Sequence, residues 1–152
     1  MRSRKEKARS VLVLHGPNLN LLGGREATIY GYETLEHINA ALKNEGKKSG
    51  CDIHVFQSNH EGALIDALHG ARHDHDGVIF NPGGYTHTSV ALRDAVSGID
   101  IPVIEVHLSN IYAREEFRHH SRISPVCRGT ITGFGWQSYL LGLQALIHIL
   151  GE

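Results

Sequence analysis

Cysteine is nearly absent from this chain. Cys51 and Cys127 stand far apart, with no Cys-x-x-Cys spacing. That excludes a disulfide-stapled scaffold and a dithiol redox motif, and it fits reduced structural thiols in a reducing compartment, the cytoplasm. No apolar run approaches the length of a membrane span, and none near the start reads as a signal peptide. Neither sign of charge dominates: 15 Lys and Arg face 16 Asp and Glu, for a net charge of -1. With 20% charged residues, nothing suggests disorder, nucleic acid or a lipid surface as a partner. Gly-x-Gly-x-x-Gly and the P-loop are both missing, as is the nucleophile elbow of serine hydrolases. Histidine is plentiful at 12 residues, yet no ligand set with an established metal spacing emerges. His73-Asp74-His75-Asp76 and His119-His120 are its densest clusters, and the first of them reads as a solvated turn.

What remains is a single domain's worth of chain, 152 residues with no internal repeat. It divides into a basic tail over 1–10 (Arg2, Arg4, Lys5, Lys7, Arg9) and one domain over 11–152. The domain is organised around Asn81-Pro82-Gly83-Gly84-Tyr85-Thr86-His87-Thr88-Ser89. Ahead of it, Gly77-Val78-Ile79-Phe80 reads as a fully buried strand, and behind it Val90, Ala91 and Ala95 continue at helical spacing. Thr86, Thr88 and Ser89 are each suitable helix caps. Two Gly, an Asn and a His exceed what turning the chain requires, although an ordinary β–α loop has the same outline.

The same unit recurs. Val11 to Leu14 is a strand, closed by His15-Gly16-Pro17-Asn18. A long loop over 19–31 follows, and its 23–31 stretch reads as a lid. Thr34 caps a helix that stops near Gly50, and Ile53 to Gln57 is the next strand. Ser58-Asn59-His60-Glu61 reads as a capping box. Pro102 to His107 is the fourth strand, and 109–120 holds a short charged helix. Arg128 to Thr132 and a helix over 138–150 complete five β–α units. Such alternation means a parallel sheet with helices on both faces, here a flavodoxin-like α/β fold of order 2-1-3-4-5. Ligands bind such sheets outside the carboxyl ends of the strands, so Asn18, Asn81 and His107 to Ser109 should share one rim.

Glu105-x-His107 puts a carboxylate and an imidazole on one face of a strand, a pairing suited to acid–base work; a satisfied core pair has the same spacing. Arg114 and Arg118, with the amides near Ser109 and Asn110, suit a small anion, and they equally suit surface ion pairs with Glu115 and Glu116. In the loop, Arg25 and Tyr30 are the chemically equipped residues. Tyrosine, with an ordinary pKa of about 10, is a weak base near neutral pH, and a nearby guanidinium can lower that by roughly one to three units. Read alone, the loop equally allows a packed Tyr30 and a solvated Arg25.

Three segments together are more specific. His15-Gly16-Pro17-Asn18-Leu19-Asn20-Leu21-Leu22-Gly23 to Arg25 and Tyr30-Gly31, then Asn81 to Asp94, then Glu105-Val106-His107-Leu108-Ser109-Asn110 through Arg118, resemble in order the motifs of the type II 3-dehydroquinate dehydratases. The resemblance runs from about Val11 to the last helix. It implies a hydro-lyase of the shikimate pathway, on the route to chorismate and the aromatic amino acids, that converts 3-dehydroquinate to 3-dehydroshikimate without metal or organic cofactor. Carried over by motif position, Tyr30 is the base and Arg25 its supporting cation. Asn18, with Pro17, Gly83 and Gly84, surrounds a water at the enolate. His107, oriented by Glu105, is the acid. Asn81, His87, Leu108, Ser109 and Arg118 hold the substrate with Arg114 in support, and Asp94 reaches a neighbouring subunit's substrate in a dodecamer built from trimers. The other class to weigh is a non-enzymatic flavodoxin-like module that binds a small anion. A flavin protein would carry a hydroxyl-rich phosphate loop where Gly16-Pro17-Asn18-Leu19 stands, and a phosphoacceptor receiver would carry paired acids there.

Overall fold

The computed structural model describes residues 8–24 and 26–152. Arg2, Arg4, Lys5, Lys7 and Arg25 lie outside them. Five strands, β1 (Arg9–His15), β2 (Cys51–Gln57), β3 (Gly77–Asn81), β4 (Val103–His107) and β5 (Gly129–Thr132), form one parallel sheet. Its order is β2-β1-β3-β4-β5, as the alternation predicts. Strand β1 begins at Arg9 rather than Val11, because Arg9 and Ser10 pair with Cys51 and Asp52. The turn after the third helix anchors that start. Ser10 donates its N–H to Asp76 at 2.8 Å and its hydroxyl lies 2.7 Å from His75 Nδ1, so 73–76 is tied to the sheet rather than simply solvated.

Side-chain alternation sorts the core into two layers. Val11, Val13, Ile79, Ile104 and Val106 pack against helices α2 (Leu35–Ser49) and α5 (Gln137–Leu150). Leu12, Leu14, Val78, Phe80 and Val103 pack the other way, against α3 (Glu61–Asp74) and α4 (Val90–Gly98). Each fully buried Leu or Phe contributes roughly 2 kcal/mol or more of transfer free energy.

Local chemistry sets the helix ends. Thr34 accepts the His37 N–H at 3.2 Å, and Gly50 closes α2 in the left-handed region at φ 74°. Ser89 caps α4 by accepting the Leu92 N–H at 2.9 Å. The capping box at 58–61 does not form. Ser58 takes the His60 N–H instead, and Glu61 accepts the Ser89 hydroxyl, tying α3 to α4. The expected helix over 109–120 is replaced by two 3₁₀ turns, Ile111–Ala113 and Glu116–Arg118. Here the Arg114 carbonyl accepts from the His119 ring at 3.0 Å rather than from a helical amide. The long loop contains a 3₁₀ turn, Leu19–Leu21, and a single helical turn, α1 (Ala27–Tyr30).

Candidate active site

The carboxyl ends of β1, β3 and β4 open into a cleft of about 170 Å³. Pro17, Asn18, Tyr30, Asn81, Gly83 and Gly84 line part of it. His87, His107, Leu108, Ser109, Arg114 and Arg118 also line it. Two sequence candidates are elsewhere, and a third is not among the described residues. Glu105 is fully buried behind His107, Asp94 is exposed on α4 outside this chain's own cleft, and Arg25 is outside the described residues.

Loop and strand meet closely here. Gly16 donates its N–H to the Asn81 carbonyl at 2.7 Å, and a Cβ on Gly16 would lie 2.5 Å from the Pro82 oxygen. Asn18 takes a left-handed conformation at φ 69°, tolerable for Asn, and its N–H reaches Asn59 Oδ1 at 2.9 Å. Gly83 is left-handed at φ 61°.

The imidazole–carboxylate half of the site is built from β4. His107 Nε2 stands 2.5 Å from Glu105 Oε2. The carboxylate also accepts from Thr86 Oγ1 at 2.6 Å, from Ser124 Oγ at 2.6 Å and from Ser121 Oγ at 3.0 Å. Burial alone would push the Glu105 carboxyl up, but the bonds from His107, Ser124 and Thr86 outweigh it and hold the group below its ordinary range. A buried anion thus sits against one imidazole nitrogen, leaving Nδ1 for the cleft. This is more than a satisfied core pair, because His107 lines the cleft while only Glu105 is sealed. His87 donates Nδ1–H to the His120 carbonyl at 2.8 Å, and burial lowers its pKa.

The cationic side is shared. Arg118 donates Nε–H to Glu115 at 2.9 Å, and Arg114 lies 3.9 Å from the same exposed carboxylate. Both guanidiniums nevertheless line the cleft. Arg114 also donates to Ser109 Oγ at 3.2 Å, and its guanidinium carbon stands 5.1 Å from the centre of the Tyr30 ring. Arg114 therefore links the loop to the rim.

Sequence reasoning missed the polar side chains that hold Glu105 and Asn81 from behind. On sequence alone Thr86 is only a suitable cap, and Ser121 and Ser124 lie in irregular chain with no periodic signal. Tyr139 interrupts an apolar helix, and His15 follows Val11 and Val13 at strand alternation; both were discernible as buried polar side chains. Among the described residues no cluster of three or more His, Cys, Asp or Glu could hold a metal ion. Nor, among them, is any helix long and apolar enough to cross a membrane. Cys51 and Cys127 are unpaired, and burial pushes the Cys127 thiol up to about 12.

Comparison with known proteins extends this geometry. Residues 9–147 match the family model described as dehydroquinase class II. The chain is 62% identical over 141 residues to a 3-dehydroquinate dehydratase of Trichodesmium erythraeum, covering 93% of this chain and 94% of the relative. It resembles the crystal structure of a type II dehydroquinase from Butyrivibrio crossotus with a TM-score of 0.91 at 44% identity, covering 93% of this chain and 99% of that one. The type II dehydroquinase from Propionibacterium acnes gives a TM-score of 0.90 at 42% identity, with 95% and 99% covered.

Proposed function

The chain belongs to the class II dehydroquinase family, and from that premise we propose that it converts 3-dehydroquinate to 3-dehydroshikimate by anti elimination through an enolate. Tyr30, as phenolate, takes a proton from C2; the C–H electron pair forms the C2–C3 double bond and the carbonyl π pair moves to the ketone oxygen. Arg25 stabilises the phenolate. The enolate is held by a water between Pro17, Asn18 and the Gly83-Gly84 turn. His107, oriented by Glu105, then protonates the departing C1 hydroxyl, which leaves as water as the double bond forms. Asn81, His87, Arg118 and the Leu108–Ser109 backbone hold the substrate's hydroxyls and carboxylate. Asp94 contributes to a neighbouring copy's site in a dodecamer of trimers. No metal or organic cofactor takes part, and the enzyme serves the shikimate pathway in the cytoplasm.

One observation carries this reading. A single cleft holds Tyr30 beside a guanidinium and His107 backed by a buried carboxylate. A base and an acid on separate elements are what a stepwise elimination requires, and a passive anion-binding module has no use for the second. The test is ultraviolet absorbance of the conjugated enone when the protein meets 3-dehydroquinate with EDTA present. Product should accumulate at the wild-type rate with or without the chelator. Absence of turnover in both conditions would favour the binding module.

A further inference from the structure

Beneath the cleft, on the face covered by α2 and α5, four side chains form a hydrogen-bonded chain that ends at the Gly-rich turn. Gly83 donates its N–H to Asn81 Oδ1 at 3.1 Å. Asn81 Nδ2 stands 3.1 Å from the Tyr139 hydroxyl, Tyr139 lies 2.8 Å from His15 Nδ1, and His15 Nε2 lies 2.8 Å from Asn39 Oδ1. His15 and Tyr139 are fully buried, and neither lines the cleft.

The direction of every bond follows from one end. The Gly83 N–H can only donate, so Asn81 must present its oxygen there and its amino group to Tyr139. Tyr139 accepts that bond, and its own proton must go to His15 Nδ1. His15 then carries its proton on Nε2 and donates to Asn39. A protonated His15 would place two donors against the phenol and leave the phenol proton without an acceptor. Burial holds His15 neutral, lowering its pKa to about 4.

We propose that Tyr139 and His15 are positioning residues that fix which way the Asn81 amide faces and so set the Asn81–Gly83 edge of the substrate site. The inference rests on the proposed dehydration. It assigns neither residue a contact with substrate: each acts through Asn81. Tyr139→Phe keeps the ring and removes only the acceptor of the Asn81 amino group, leaving a buried donor unmatched. The amide then keeps only the Gly83 N–H on its oxygen, and an orientation in which its amino group seeks a partner in the cleft competes with the correct one at each binding event.

The experiment is steady-state kinetics on 3-dehydroquinate for wild type, Tyr139→Phe, His15→Leu, His15→Asn and Asn81→Ala, with circular dichroism as the control for folding. Tyr139→Phe and His15→Leu should raise KM roughly tenfold while kcat stays within about threefold, the signature of weakened ground-state binding. His15→Asn places an amide oxygen near the position of Nδ1, keeps an acceptor for the phenol, and should restore KM to within about threefold of wild type. In the Asn81→Ala background, Tyr139→Phe should add almost nothing, because the residue through which it acts is gone. Folded Tyr139→Phe with wild-type KM would overturn the proposal, as would losses that simply add in the double variant. If Tyr139→Phe does not fold, the contrast between His15→Leu and His15→Asn decides: equal KM values overturn the inference. A wild type with no turnover overturns the reaction itself and this inference with it.

Discussion

The two sides of the cleft are made differently. The floor comes from the ends of β3 and β4, where Asn81, Glu105 and His107 are all buried; Asn81 and Glu105 are held by side chains from other elements, and His107 by Glu105. The opposite side comes from the 23–31 loop, where one helical turn presents Tyr30 between the 41% exposed Ile29 and the 76% exposed Tyr32. Four helical residues cannot hold themselves in water, since nucleation costs more than one turn returns. The floor is therefore set by the fold, whereas the loop takes its position from what it rests on, Arg114 among it. An acid that must wait for an intermediate suits the fixed side. A base that must meet substrate after entry suits the loop side, where Tyr30 rests half-buried against the α2/α5 core layer instead of being sealed within it.

If that division is right, the largest loss comes from the loop's oxygen. Tyr30→Phe should reduce kcat by more than about 10³-fold with substrate still bound, because nothing on the floor replaces the base. Equilibrium binding and turnover measured on the same sample check it. His107→Ala should come next, with a fall in kcat of at least about 10²-fold and an unchanged fold, read by kinetics and circular dichroism.

The remaining predictions sharpen the contrast. His15 belongs to the floor, and its folded pKa of about 4 lies below the ordinary 6.5. The unfolded chain therefore binds the extra proton first, and stability present above pH 6.5 is lost as pH falls toward 4. The loss is about 3 kcal/mol at roughly 1.4 kcal/mol per unit. Denaturant midpoints from pH 7 to pH 4 should fall less for His15→Asn than for wild type. Arg114→Ala, which unties loop from rim, should lower kcat only about tenfold, consistent with a cation–π contact of up to about 2 kcal/mol. It should leave the thermal midpoint nearly unchanged, because the loop adds little to the core.

The same division explains what the sequence disclosed. Strands of the floor are continuous apolar runs, so Val11 to Leu14 and Gly77 to Phe80 were legible with their order. The residues at their ends, Asn18, Asn81 and His107, could be placed on one rim from chain direction alone. Thr34 and Gly50 were legible because a cap and a stop act locally. The capping box at 58–61 failed because a distant hydroxyl, Ser89, competed for Glu61. The helix at 109–120 failed because Arg114 turns its guanidinium to Ser109 in the cleft and its carbonyl to the His119 ring, and a charged segment without an apolar stripe has no core to hold it helical. Thr86, Ser121, Ser124 and Tyr139 are brought to Glu105 and Asn81 only by the tertiary fold, and no local spacing announces such partners.

The central claim is that the base is on the loop and the acid is on the floor, acting in separate steps. Proton nuclear magnetic resonance of 3-dehydroquinate in deuterium oxide tests it with wild type, Tyr30→Phe and His107→Ala. His107→Ala should exchange the C2 hydrogen for deuterium while forming almost no product, because the enolate forms and returns. Tyr30→Phe should neither exchange nor eliminate. Exchange persisting in Tyr30→Phe, with its fold intact, would contradict the assignment and move the base to the histidines of the floor.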